Sequence, residues 1–505
     1  MTQSVLHAHS TALASSGSWS VSRLAAEFPF HPPACSRFSG KRLPRGVLFP
    51  VRRAGNTFHS NMGGQTSKDG RQCLSVFAET HNMDAILSVG STIAISSVGS
   101  SIGVRLPAEQ HQTCIYLDYN ATSPIFPEVA VEMTPFLFTH FGNPSSGHVF
   151  ARPCAAALKL ARERMAKLIG CDVGEILFTS CGSESDNHAI TGVVAASRER
   201  LDGATPHVVA STIEHPAILE CLSALQTEGR LTYTLVPVDA EGLLTAAQVA
   251  EAMTPNTVLV TIMHSNNEIG TLQPIGEISK VAKAKGAVMH TDAAQSFGKV
   301  PVKAKELGAD LITCVGHKFG APKGVAALYV RKGTPMHKLL HGGGQESGLR
   351  AGTENVLLIS GLGKAADLYE TEASSTTAHL SSLRDHLQAT LVKECTAIGV
   401  NVRVNGPLDD AKRLPNTLSI SVEGLSASVL LHNLQDMLAA SAGAACHTGG
   451  GPAISGVLKA IDLPEAFALG TLRLSVGRHT CREDVDRAVD LIMEEVNSQC
   501  LQPKK

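Results

Sequence analysis

The stretch ADLITCVGHKFG, Ala309 to Gly320, decides how the chain is read. Its first half is apolar and β-branched, so it predicts a short strand. Gly316 then opens a turn that presents Lys318. A second strand end lies upstream in HTDAAQ, His290 to Gln295, and carries the carboxylate of Asp292. A lysine and an aspartate, each at a strand end, are what pyridoxal phosphate requires. The lysine amine bonds the cofactor covalently, and the aspartate keeps the ring nitrogen protonated.

Outward from these two residues, short runs rich in Val, Ile and Leu alternate with helical patterns. Strands are predicted at 175–179, 207–211, 232–236, 258–263, 288–290, 311–314 and 326–330. Helices are predicted at 155–169, 185–198 and 278–285. Such alternation indicates an α/β fold whose sheet is mainly parallel, with ligands bound beyond the carboxyl ends of its strands. A polar run at Ala373 to Thr377 opens a smaller α+β block. That block has a helix over 380–394, strands at 402–404 and 417–422, and a last helix over 482–496. The expected domains are an N-terminal extension, 1–112, a large cofactor-binding domain, 113–372, and a small C-terminal domain, 373–505.

Composition narrows the function classes. The 505 residues are 43% apolar and 17% charged, enough to bury a sizeable core. The formal net charge is −2 and aromatics are 4%, so nothing points to nucleic acid as a partner. The 12 cysteines contain no Cys-x-x-Cys pair, which argues against a zinc site and for a reducing compartment. The mildly apolar stretch 86–104 is broken by Ser and Gly and is not expected to span a membrane. The first 60 residues hold one acidic residue, Glu27, against seven basic ones. This is the composition of a mitochondrial or plastid transit peptide; a cytoplasmic protein with an unstructured tail is the alternative.

Further runs offer partners for the rest of the cofactor. TSCGSESDN, Thr179 to Asn187, joins a strand to a helix, and backbone N–H groups at Gly182 and Ser183 suit a phosphate. STIEHPA, Ser211 to Ala217, ends another strand with His215, whose ring is able to lie over a pyridine. The amides of Asn267 and Gln295 suit the phenolic oxygen, although turn and cap roles fit them equally well. Cys446 lies in SAGAACHTGGG, and its Gly-rich surroundings predict a mobile loop rather than a buried thiol.

Taken together, YLDYNATSP from Tyr116, SESDN from Ser183, IEH from Ile213, NNEIG from Asn266, HTDAAQ from His290, GHKFG from Gly316, GGGQESGLRAGTEN from Gly342 and GAAC ending at Cys446 resemble the cysteine desulfurase/selenocysteine lyase family of class V aminotransferase-like enzymes. The resemblance covers about 115–497. It implies a large and a small domain of fold type I. It also implies removal of sulfur or selenium from L-cysteine or L-selenocysteine to leave L-alanine. Lys318, His215 and Cys446 would act in catalysis. Lys318, Asp292, Gln295, Asn267, His215, Gly182, Ser183 and His317 would bind the cofactor. Thr353 would reach the phosphate of a second copy, implying a homodimer. Arg473, Asn120 and Ala121 would meet the amino-acid substrate. A sulfur- or selenium-acceptor protein is an expected partner; no metal is expected.

The chain departs from the family at three places. Val315 stands where many cysteine desulfurases have a phosphate-binding Ser, Cys181 replaces a common Gly, and Ser183 a common Thr. The Val-Gly-His-Lys form and the Gly-rich cysteine loop lean the expectation toward selenocysteine lyase, with cysteine desulfurase as the alternative.

Overall fold

The computed structural model describes residues 92–97, 100–105, 114–445 and 453–501. Cys446 and the basic stretch 1–60 lie outside the described residues. Residues 92–97 and 100–105 form a two-stranded antiparallel ladder in which Ile95 faces Ile102.

The main sheet has seven strands: β1 Ile176–Thr179, β2 His207–Ser211, β3 Thr232–Val236, β4 Thr257–Thr261, β5 Val288–Asp292, β6 Leu311–Val315 and β7 Ala326–Val330. Their spatial order is β1-β7-β6-β5-β4-β2-β3. All neighbours are parallel except β7, which runs antiparallel to both β1 and β6. The central strands are buried along their length, as expected for a sheet covered on both faces. The edge strand β3 instead alternates exposed and half-buried positions. Apolar residues on the two faces form separate cores, one centred on Phe178, Val260, Met289 and Ile312, the other on Leu177, Val208, Leu259 and Leu328.

Helices feed these cores in ways their sequences explain. Helix α1, Ala151–Ile169, ends on Gly170 at φ 73°, a left-handed cap that glycine adopts without strain. Helix α2, Gly182–Ser197, starts at the end of β1. Helix α3, Pro216–Thr227, has Pro at its first position, where the missing N–H costs nothing.

A four-stranded antiparallel sheet follows, with β8 Val402–Asn405, β9 Thr417–Val422, β10 Ser441–Ala442 and β11 Thr471–Ser475 in the order β8-β9-β11-β10. Register places Arg473 between Ser419 and Ser441. Helix α4, Val356–Ala397, is 42 residues long and serves both sheets. Its first half, with Leu362 and Ala366, packs into the large core. Its second half, with Leu383 and Leu391, packs under the small sheet. The expected boundary at 372/373 therefore falls inside one continuous helix, where it changes cores. Ile115 and Leu117, expected in the large domain, sit in the small domain's core instead, because Ile115–Tyr116 pairs with Leu438–Ala439. The last helix, α5 Arg482–Cys500, buries Val485, Val489, Ile492 and Val496, spaced to lie on one face.

Candidate active site

Parallel strands bring their carboxyl ends to one edge of the large sheet, and four of them deliver site residues there. β5 ends at Asp292. β6 ends at Val315 and passes into a short 3-10 turn, Gly316–Lys318. β1 leads through Ser180 and Cys181 into α2, and β2 through Thr212 to Glu214 into His215.

Lys318 reaches across the junction between the sheets. Its Nζ donates to the backbone carbonyls of Asn120 at 2.7 Å and Ala121 at 2.8 Å. Burial and the neighbouring Arg473 push its amine down to about 8, against the opposing pull of Asp292 and Asp118. At pH 7 roughly a tenth of the amine is thus unprotonated, far more than in an ordinary lysine, and that is the form in which it is a nucleophile.

Asp292 is 7% exposed, and its Oδ1 accepts from the Ala294 N–H at 2.9 Å. Burial raises its carboxyl above the usual range; the Ala294 N–H, His215 and Lys318 pull it back only in part. A cation brought beside this carboxylate would lower it again. His215 is the N-cap of α3. Its Nδ1 accepts from the Ala217 N–H at 3.1 Å, so the ring proton of the neutral imidazole sits on Nε2. Loss of water around the ring lowers its pKa, Asp292 raises it and Lys318 lowers it, for a net fall.

Gly182 and Ser183 open α2 with their N–H groups unpaired in the helix. A Cβ at Gly182 would lie 2.7 Å from Val315 Cγ2. The Val315 departure is thus packed directly under the phosphate-type turn and leaves no room there for a side chain. Beside the turn, Glu184 accepts from Ser180 and from Arg350, whose Nε is 2.9 Å from Oε1. Burial raises the Glu184 carboxyl, but these bonds outweigh it and hold the group below its usual range. His317 shares a 3.1 Å hydrogen bond with Thr122 Oγ1, and burial, Lys318 and Lys323 bring its imidazole down to about 4.

Arg473 is already held when it faces the cleft. Its Nη2 donates to Asp118 Oδ1 at 2.7 Å and Ser441 Oγ at 2.8 Å, and its Nη1 to the Asn267 carbonyl at 3.2 Å. Nε is buried with no partner among the described residues. Beside the guanidinium is a cavity of about 340 Å³, also lined by Asn267, Glu268, Ser441 and Ser455.

The structure therefore gathers Lys318, Gln295, Asn120, Ala121, Asn267 and Arg473 into one hydrogen-bonded set, with Asp292 and His215 close to Lys318 electrostatically. Asn267 enters through its carbonyl, which takes Asn120 Nδ2 at 3.2 Å as well as Arg473; its amide makes no hydrogen bond among the described residues. Thr353 is exposed and outside this set. Residues 446–452 lie outside the description, but their flanks, Ala444–Ala445 and Ala453–Ile454, pair antiparallel directly after β10. Sequence reading missed Asp118, Lys299, Ser441 and Arg350. Asp118 stood within a quoted motif, and Arg350 within another, but their partners are far away in the chain.

The residues present fit pyridoxal phosphate on their own chemistry. They offer a depressed amine, a buried carboxylate short of a cation, an oriented imidazole and a helix N-terminus with free N–H groups. Fold and donor set define a pyridoxal-phosphate enzyme of fold type I. The chain belongs to the class V aminotransferase family, whose profile matches residues 115–488. It is 44% identical to a protein named cysteine desulfurase IscS from Dictyoglomus turgidum over 381 residues, 75% of this chain and 93% of that one. It is 42% identical to a cysteine desulfurase of Trichormus azollae, covering 75% and 92%. Among solved structures it is similar to a NifS-like protein, with TM-score 0.69, 33% identity and 76% and 100% coverage. A second, described as SspA in complex with cysteine, gives TM-score 0.61, 35% identity and 72% and 99% coverage.

Proposed function

We propose that the protein is a cysteine desulfurase that transfers the sulfur of L-cysteine to Cys446 and leaves L-alanine. The lean toward selenocysteine gives way: the relatives carry cysteine desulfurase names, and the Val315 variant has a packing reason of its own beneath Gly182. The observation that carries the proposal is Arg473. A rigidly held guanidinium, open to a cavity and electrostatically coupled to Lys318, suits the carboxylate of a small amino acid. The strand beside it, β10, leads within four residues to Cys446.

In this reading Lys318 would hold the cofactor covalently, Asp292 would pair with its ring nitrogen and His215 would pack against its ring. Gly182, Ser183 and His317 would hold the phosphate, and Gln295 and Asn267 would serve the phenolic oxygen. The bound cofactor supplies an electron sink for the substrate's Cα–H bond. Lys318 takes and returns the Cα proton, and His215 Nε2 is the second proton carrier. Arg473 clamps the carboxylate, with Asn120 and Ala121 setting the floor of the substrate site. Cys446, as a thiolate, attacks the substrate sulfur. An S–S bond forms, the C–S bond breaks, and its electron pair passes to Cβ, which takes a proton. Cys446 is left as a persulfide for an acceptor protein.

Two further features belong to the proposal. A homodimer is supported by the exposed cluster Phe138, Phe141, Val149 and Phe150, between 58% and 77% exposed, and by the exposed Thr353. An organelle address is supported by the composition of residues 1–60; a fluorescent fusion of 1–80 that stays diffuse in the cytosol removes it.

The test of the reaction is Cys446→Ala. Alanine release from cysteine is expected to fall by several orders of magnitude, while release from selenocysteine, with its better leaving group, falls far less. Alkylation of wild type after one turnover should place the extra sulfur on Cys446 by mass spectrometry. Full activity of Cys446→Ala on cysteine sinks the proposal.

A further inference from the structure

One buried charge-bearing group has no place in the reaction just described. Lys299 is 4% exposed, and no carboxylate among the described residues bonds it. Its Nζ donates instead to two amide oxygens, Gln295 Oε1 at 3.0 Å and Asn120 Oδ1 at 3.3 Å. Burial, Lys318 and Arg473 all push its amine far below the usual range. An amine in such surroundings is costly to the fold, and an apolar chain of its length would be cheaper. Its use therefore lies in what it touches.

We propose that Lys299 is a positioning residue that fixes which way the Gln295 amide faces. The argument is one of donors and acceptors. A lysine amine presented to an amide as a donor selects the oxygen. With Gln295 Oε1 turned to Lys299, Nε2 must face the other way. There one of its N–H groups goes to the Asn120 carbonyl at 2.9 Å and the second is left over. Lys299 orients Asn120 in the same manner. Oδ1 faces Lys299 and the Asn416 amide at 3.0 Å, so Nδ2 faces Thr417 Oγ1 at 2.8 Å and the Asn267 carbonyl. The Asn120 backbone carbonyl between them is the one that receives Lys318. One amine thus holds the two amides that flank Lys318. Without it, Gln295 Oε1 has no donor among the described residues, and only the Asn120 carbonyl still holds the amide.

This inference rests on the reading of Gln295 as the donor to the cofactor's phenolic oxygen. That donor stabilises the anionic oxygen, so its loss should raise the pH at which the visible band of the bound cofactor changes. The experiment is a double-mutant cycle on the holoenzyme with Lys299→Met, Gln295→Ala and the pair, read by spectrophotometric pH titration. Each single variant is expected to move the transition upward by about one pH unit, the equivalent of one lost hydrogen bond to a charged group. The pair is expected to move it no further than Gln295→Ala alone. For Lys299→Met, kcat should fall about tenfold while KM for cysteine stays within about twofold, because Arg473 is untouched. The thermal midpoint should change little, since the desolvation cost of a buried amine goes while the Gln295 and Asn120 oxygens lose a donor. If Lys299→Met does not fold, Lys299→Gln carries the cycle. Additive shifts in the pair would show that Lys299 acts by its charge and not through Gln295, and would overturn the proposal alone. A band that ignores Gln295→Ala removes the reading of Gln295 and this inference together.

Discussion

Glu214→Gln tests the electrostatics of the site's floor. Glu214 is 4% exposed and lies just before His215. Its Oε1 accepts from Ser211 Oγ at 2.6 Å and from the Met263 N–H at 2.9 Å, and its Oε2 from the same N–H at 3.1 Å. Burial drives its carboxyl up to about 8, and the bonds from Ser211 and Met263 offset this only in part. In the unfolded chain the same carboxyl titrates near ~4.3. Between these two values the folded protein keeps a proton that the unfolded chain has lost. Linkage then makes stability fall as pH rises, by about 1.4 kcal/mol per unit and on the order of 5 kcal/mol over the whole window. Glutamine mimics the protonated acid in shape and keeps the acceptor for Ser211 and Met263, but cannot ionise. The variant should match wild type near pH ~4 and outlast it increasingly toward pH 8, with no further gain above that. The buried histidines His264 and His290, brought down to about 4 and about 3, act in the opposite direction below pH 6.5. They act equally in both proteins, so the gap between the two urea midpoints, measured at each pH, isolates Glu214. A gap that does not change with pH would mean that Glu214 is ionised in the folded state, and the reasoning from burial would fail.

Two other outcomes follow from the geometry. The rate at which pyridoxal phosphate recombines with apoprotein should rise with pH and level off above about 8, because only the unprotonated Lys318 amine attacks; a rate that is flat from pH 6 to 9 contradicts the depressed amine. Arg473→Lys should keep the visible band but lower kcat/KM for cysteine about 10²- to 10³-fold, mainly through KM, because a point charge replaces a bidentate donor already braced by Asp118 and Ser441. Steady-state kinetics alongside a spectrum of the bound cofactor check it, and an unchanged KM removes Arg473 from the substrate site.

Much of the fold was legible because the strands are buried on both sides. Such runs need little partner information, and 207–211, 326–330 and 417–422 fall where the residues alone place them; the edge strand 232–236, only half covered, was placed by its β-branched and aromatic residues. The direction of β7 was not legible, since antiparallel and parallel neighbours use the same residue types. Helix α4 was read short, from 380 to 394. Its first half contains Ser360, Gly361 and Gly363, and its middle the Ser-Thr run, all weak helix formers. Packing overrides them: a Cβ at Gly363 would lie 2.5 Å from Ala161 Cα, so the glycine is what lets α1 and α4 approach. At the site, Lys318 and Asp292 announced themselves by following strands. Lys299 could not. In sequence it is a lysine after a glycine, and only the fold shows that it is buried against two amides.

The same limit explains why the substrate clamp was seen as one residue when it is an assembly. Arg473 gains its orientation from Asp118, 355 positions earlier, and from Ser441 on the strand beside it. Asn120, two residues beyond Asp118, receives Lys318 on its carbonyl and donates its own N–H to Ser475 Oγ at 3.0 Å, two residues beyond Arg473. The distance from amine to guanidinium is therefore set by a chain of short hydrogen bonds through the 118–121 segment. Reacting groups held in this way lose little freedom when substrate arrives, so more of its binding free energy is left for the chemical step. It follows that this segment, although it carries no reacting atom, should tolerate change less well than its exposure suggests. Its backbone is the ruler between the two sheets.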